Sequence, residues 1–187
     1  SGAYLAGVRE HLTAAAVTFD RFHVKQKLSE AIDTVRRAEA KEHKELLKNT
    51  RYLWLKRPKN LTTKQLDWLD QLLQQPLQTV RAYEQALKFD DFYELSADAA
   101  EEYLRRWVQE VKATDLVPLI EFAEMLESHW QGVIRWHHSQ VSNGLLEGLN
   151  SLIQAAKRRA RGYRSTRNYK AMIYLVAGKL NAGPQLA

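Results

Sequence analysis

The sequence predicts a mainly α-helical protein. Three observations carry that expectation. Apolar residues recur at spacings of three and four along most of the 187 residues. Ser, Thr and Pro recur where helices should start. One stretch alone, "AAAVTFD" at Ala14–Asp20, reads as a strand: it is short, β-branched or aromatic at Val17, Thr18 and Phe19, and it ends on an Asp.

In chain order, Ala3–Leu12 is a short amphipathic helix, followed by the strand. Val24 to Lys48 returns to helical spacing through Leu28, Ile32 and Val35. Asn49–Asn60, with "RYLWLKRPKN", is a Pro-containing connector. Thr62 or Thr63 can cap a helix that runs to Leu73. Pro76 suits the first turn of the next helix, which ends near Tyr93. Ser96 opens another, and "SADAAEE" puts acids in the first turn, where the helix dipole favours them. Pro118 lies near the start of a helix ending at about His129. Ser142 or Asn143 caps a helix that Gly162 ends, and Thr166–Lys179 is the last helix. A lone strand leaves its backbone groups without partners. Either Val17–Phe19 is not a strand, or its neighbours lie outside this chain. The start at "SGAYLAGV", without Met, agrees with a fragment.

Composition narrows the classes. Hydrophobic residues make up 45% and charged residues 27%, as in a soluble globular protein rather than a disordered one. The absence of cysteine excludes disulfides and Cys-based zinc sites, and it fits a cytoplasmic location. No apolar run approaches the roughly 18 residues of a membrane span, and no signal peptide opens the chain. The net charge of +6 is unevenly laid out: +6 over Val24–Asn60, −8 over Leu61–Gln131 and +6 over Val141–Lys170. Two basic stretches flank an acidic middle. They form a footprint for a polyanion if they meet, and a solvated surface if they do not.

The stretch "VSNGLLEGLNSLIQAAKRRARGYR" is amphipathic. On a helical wheel Asn143, Asn150, Gln154, Lys157, Arg158 and Arg161 lie within about 80 degrees of Glu147. Leu145, Leu149, Leu152, Ile153 and Ala156 lie opposite. Gly144 and Gly148 flank the acid, each costing the helix roughly 1 kcal/mol against Ala. Either something approaches closely there, or Gly144 sits in the first turn and Gly148 packs on a neighbour. A carboxylate followed by cations suits phosphodiester chemistry. The acid can hold a divalent metal, and the cations can hold a nucleic-acid backbone. A lone Glu is equally a solvated surface residue. Asp20 and His23 form a second compact pair. They could share a metal, or Asp20 could cap the helix that follows. His137 and His138 point about 100 degrees apart on a helix, so they do not converge on one ion. Trp54, Trp68, Trp107, Trp130 and Trp136 read as core and interface packing, with base stacking by Trp54 as the alternative.

Two long motifs, "VTFDRFHVKQKLSEAIDTVRRAEA" and "SNGLLEGLNSLIQAAKRRARGYRSTRNYKAMI", resemble the DDE transposases of bacterial insertion sequences in the L-three group. "RYLWLKRPKNLTTKQ" between them resembles that family's linker. The resemblance covers nearly the whole chain. It implies a ribonuclease H-like catalytic domain in which two Asp and one Glu bind two Mg²⁺ or Mn²⁺ ions, used to cleave and join DNA strands. The family motif S-N-G-x-x-E-G-x-N falls on Ser142–Asn150 and gives Glu147 the place of the catalytic, metal-binding Glu. Its companions in the motif are Ser142, Asn143, Gly144, Gly148 and Asn150, with Gly162 and Tyr163 further on. An S-x-A-Y turn at Ser1–Tyr4 would put the second family Asp just before Ser1. Asp20 and His23 match a following D-x-x-H pattern, as supporting residues or with Asp20 as the second acid.

On this resemblance, residues 1–23 end a ribonuclease H-like sheet region, 24–140 are a helical insertion, and 141–187 carry the catalytic helix and a closing helix. The fold class is then mainly α: a helical insertion plus the terminal strand and Glu-bearing helix of an incomplete ribonuclease H-like domain. The family's zinc-binding and helix-turn-helix regions would lie outside this chain. Lys157, Arg158, Arg159, Arg161 and Arg164 would contact DNA, both the element's inverted repeats and the target. The protein would work as a homo-oligomer in the cytoplasm, away from membranes, and this fragment would be inactive alone. The rival is a non-catalytic helical module that binds nucleic acid or a protein.

Overall fold

The computed structural model describes residues 2–140 and 144–178. The chain divides into two compact units, Ser1–Val141 and Ser142–Ala187. Among the described residues the secondary structure is helical, with no strand. The expected N-caps Ser142 and Asn143, and the expected end of the last helix at Lys179, lie outside the described residues.

In the first unit, α1 spans Gly2–His11, close to the predicted element. Ala14 lies in a turn, and Val17–Phe19, expected as a strand, has no regular secondary structure and no ladder partner among the described residues. A strand needs a ladder, and no described residue offers one. Phe19 moors the segment to the rest of the unit through its backbone and its ring. The Phe19 N–H donates to the Gly132 carbonyl at 2.9 Å, and the Phe19 ring stacks on His129 at 4.7 Å. A Cβ on Gly132 would stand 2.5 Å from that ring, so glycine is what lets Phe19 seat there.

Helix α2, Arg21–Glu39, begins three residues earlier than predicted because Asp20 caps it, accepting the Phe22 N–H at 2.7 Å. Val24, Leu28, Ala31, Ile32 and Val35 form its buried stripe, packed on α6 (Gln78–Phe92), α8 (Val117–Ser128) and α4 (Arg51–Leu55). It stops at Glu39, well short of Lys48. The next six residues, "AKEHKE", carry no large apolar side chain, so continuing the helix would bury nothing. The Glu39 carboxylate instead reaches α6 and accepts from the N–H groups of Gln78 and Thr79 and the Thr79 hydroxyl, at 2.7, 2.8 and 2.6 Å. It caps from across the fold a helix whose own N-cap, Leu77, has no side-chain acceptor. Pro76 therefore precedes α6 rather than sitting in its first turn.

A short separate helix, α3 (Lys44–Leu47), occupies the end of the stretch expected to continue α2. The connector Asn49–Asn60 is more ordered than expected: it holds α4 and a 3₁₀ turn at Pro58–Asn60. Helix α5, Thr63–Leu73, opens on a capping box: Thr62 accepts from the Gln65 N–H, and the Gln65 side chain accepts from the Thr62 N–H. Helix α7 spans Ala97–Lys112 after Ser96, whose side chain makes no capping bond. Pro118 lies in the first turn of α8, as expected. Trp130–Ser139 is a separate helix, α9, which the sequence did not mark; His129 adopts a non-helical backbone between the two. The core centres on Phe89, whose ring meets Trp107 at 4.8 Å, Phe122 at 5.4 Å and Phe92 at 5.7 Å. Trp107 also donates its indole N–H to the Gln85 carbonyl. Trp54 is buried on α4, which removes it as a base-stacking platform, while Trp68 is surface-exposed.

The second unit is a pair of packed helices, α10 (Gly144–Arg159) and α11 (Thr166–Ala177). Ile153 on α10 and Met172 on α11 are buried. Leu152, assigned to the dry face by the wheel, is 57% exposed. Two helices present too little opposing surface to cover a whole apolar stripe.

Candidate nucleic-acid interface

The site is built on α10 and the turn that follows it. Lys157, Arg158 and Arg159 occupy the last turn of α10, where cations face the negative end of the helix dipole. The helix is then closed by two bonds. The Arg161 N–H donates to the Arg158 carbonyl, and the Gly162 N–H to the Lys157 carbonyl, each at 3.0 Å. The sequence assigned this stop to Gly162. The structure shares it: Arg161 takes the left-handed seat at φ 51, and Gly162 follows at φ 96. A non-glycine residue in that seat is uncommon. Arg161 is exposed, so its head is thrown to solvent at the helix end.

Ser165 restarts the chain, accepting the Asn168 N–H as the N-cap of α11. Tyr163 and Tyr169 meet ring to ring at 5.6 Å, and the Lys157 ammonium lies 5.4 Å from the Tyr169 ring centre. These contacts tie the α10–α11 turn to the cationic end of α10. Arg164 is exposed, and so are Arg167 and Lys170 on α11. The sequence pattern did not single out these last two, although the charge surplus of the stretch already included them. None of these seven cations forms an ion pair among the described residues. An exposed surface of unpaired cations is one a polyanion can neutralise by releasing its own counterions.

Glu147 lies on α10 in helical backbone, two turns and more before the cations. Its side chain, like Ser142 and Asn143, lies outside what is described. Gly144, Gly148 and Asn150 are exposed on the same helix. A Cβ on Gly148 would meet no described atom within 4 Å, so no close neighbour among the described residues explains that glycine.

Asp20 and His23 belong to the first unit. Asp20 caps α2, and His23 is exposed, with its ring edge-on to Phe22 at 5.7 Å. Among the described residues no three His, Asp or Glu side chains are grouped to hold a metal ion. His137 is buried and His138 exposed, so the two point apart as their spacing requires.

A family model described as transposase, DDE_Tnp_ISL3, matches residues 1–173. The transposase for insertion sequence element IS1001 of Bordetella parapertussis is 32% identical over 171 residues, covering 87% of this chain and 42% of that protein. The chain therefore spans less than half the length of that relative. No solved structure matches it.

Proposed function

This chain belongs to the ISL3 family of DDE transposases, and we propose that it is the Glu-bearing, largely helical part of a transposase that cleaves and joins DNA at the ends of an insertion sequence. The observation that carries the proposal is the make-up of α10. One helix holds Glu147 in the family motif and, further along, cations that no acid of the described chain neutralises.

Glu147 is one ligand of a pair of Mg²⁺ or Mn²⁺ ions, hard cations that take oxygen donors. Bound, such ions polarise a phosphate oxygen and activate a hydroxyl for in-line attack. Lys157, Arg158, Arg159, Arg161 and Arg164 hold the DNA backbone against the helix. Asp20 and His23 stabilise the chain entering α2, and their part in the site is supporting. The ribonuclease H-like sheet, with the two Asp that complete the metal site, lies in the rest of the protein. Residues 24–140 are then an insertion between that sheet and the catalytic helix. The whole protein acts in the cytoplasm on inverted repeats and target DNA, with a second copy, because two DNA ends must be joined together.

The test is made in the full-length protein. Glu147→Gln keeps size and polarity but removes a charged ligand. Metal stabilisation is worth several kcal/mol, and about 1.4 kcal/mol is tenfold, so strand transfer should fall by about a hundredfold or more. DNA binding should stay largely intact. Charge reversal at Lys157, Arg158 and Arg161 should do the opposite first: weaken binding and flatten its salt dependence. Strand transfer unaffected by Glu147→Gln would make Glu147 a tolerant surface residue and favour a non-catalytic helical module.

A further inference from the structure

The basic stretch Val24–Asn60 carries a surplus that its ion pairs do not absorb. Its clearest expression is Asp33 on α2, which three arginines share. Arg36 contacts Oδ1 through NH2 at 2.7 Å and Nε at 2.9 Å. Both partners are only 13% exposed, so this pair is an internal one. Arg37 and Arg51 each bring Nε to the other oxygen, Oδ2, at 3.5 Å. That is longer than a good N–H···O bond. Arg37 adds two more long bonds, both at 3.3 Å, to the Asp33 carbonyl and the Thr34 hydroxyl. No other described carboxylate pairs with any of the three.

Helix spacing alone explains Arg36 and Arg37, three and four residues after Asp33. It does not explain Arg51, which arrives from α4. A built corner delivers it. Asn49 turns the chain at φ 61, and the fully buried Thr50 donates its hydroxyl to the Leu47 carbonyl at 2.7 Å. Arg51 then opens α4, at the end where the dipole disfavours a cation. Its guanidinium also lies 5.8 Å from the exposed Tyr52 ring. With a shared oxygen between them, the Nε atoms of Arg37 and Arg51 stand within about 7 Å of each other. Their side chains are 65% and 56% exposed.

We propose that Arg37 and Arg51, gathered over Asp33, are a second contact for the phosphate backbone of double-stranded DNA, on the first unit of the chain. Asp33 has its charge largely engaged by Arg36, and it keeps two like charges ordered side by side without saturating them. Guanidinium groups suit phosphate because their planar donors bind it in pairs. The ordering cost of bringing the two together is already met by the fold. The contact rests on the reading of the chain as a DNA-handling protein, and it uses residues distinct from those of α10.

The experiment measures binding of a short duplex of arbitrary sequence to the 187-residue chain across a salt series. Arg37→Gln with Arg51→Gln should lower the slope of log affinity against log salt by about two, at roughly 0.9 per phosphate contact. Affinity at low salt should fall about tenfold or more. The Lys pair, Arg37→Lys with Arg51→Lys, should keep most of the slope. Arg37→Gln alone, at a side chain that the fold leaves in solvent, should lose about one and guards against misfolding of the double variant. A slope unchanged in a Gln pair that melts like the parent overturns the proposal. So does loss of poly-glutamate binding without loss of DNA binding, which assigns the surface to an acidic protein. Neutralising Lys157, Arg158 and Arg161 is the control arm. If it changes nothing while the Gln pair does, the α10 interface fails and this one stands; the reverse result overturns this one alone.

Discussion

His137 and His138 are adjacent in sequence and opposite in fate. His137 is buried against Phe92 at 4.6 Å and Trp136 at 5.2 Å, while His138 is exposed. Burial pushes the His137 imidazole below its ordinary value. The charges of His138 and Arg21 push the same way, and a hydrogen bond to the Leu95 backbone pushes back. A depressed value in the folded state means that the unfolded chain binds more protons below about pH 6.5. Stability from this residue is thus complete above that pH and declines as pH falls through it. The melting midpoint should drop between about pH 7 and pH 5, and His137→Phe should shrink that drop. Melts followed by circular dichroism decide it, and an unchanged pH slope in His137→Phe counts against the assignment. Helical spacing showed that the two rings diverge. It could not say which one faces the core, because that depends on where Phe92 and Trp136 come to rest. Arg161 teaches the same lesson: Gly162 marks the stop, but which residue takes the left-handed turn is settled by the two closing bonds.

At the scale of elements, starts were more legible than ends. The Thr62–Gln65 box and Pro118 in the first turn of α8 are local chemistry, readable within four residues. The end of α2 was not readable. It comes where the core stops needing an apolar face, and Glu39 leaves its own helix to cap α6, 39 residues on. The strand expected at Val17–Phe19 finds no ladder partner among the described residues. β-branched and aromatic residues describe a segment that packs, and Phe19 does pack, but against the α8–α9 corner rather than within a ladder. Gly148 carries the prediction at this scale. A methyl group projecting from its backbone would meet no described atom within 4 Å. Gly148→Ala should therefore stabilise α10 by about 0.5–1 kcal/mol. A thermal melt of the chain reads this directly. If strand transfer by the full protein falls while the melt rises, the open space is used by a ligand. If both stay level, glycine has no role there.

For the whole molecule, charge and fold assign different jobs to different stretches. The acidic middle runs from α5 to the start of α9, where Glu110, Glu127 and Asp115 pair with Lys88, Lys112 and Arg81 on neighbouring helices. Part of that acidic charge is thus matched locally by cations of the same stretch. The cations of α10 and α11 and the pair over Asp33 are left facing solvent. The 187-residue chain should therefore bind duplex DNA in a salt-sensitive way and cleave none of it, with or without Mg²⁺ or Mn²⁺. Metal-dependent nicking of inverted-repeat DNA by the chain alone, in a gel assay, would sink that expectation. The helical class, most helix starts, the isolated acid ahead of a cationic helix end, and the family with its two long motifs were all legible in the letters. These are local or periodic properties, written in residues close together along the chain. It took the folded chain to show that Phe19 docks on Gly132 and His129, that Trp54 is core, that Leu152 is exposed, and that Arg51 joins Arg37 over one carboxylate. Each depends on residues distant in sequence meeting in space, and no window of neighbouring letters contains both partners.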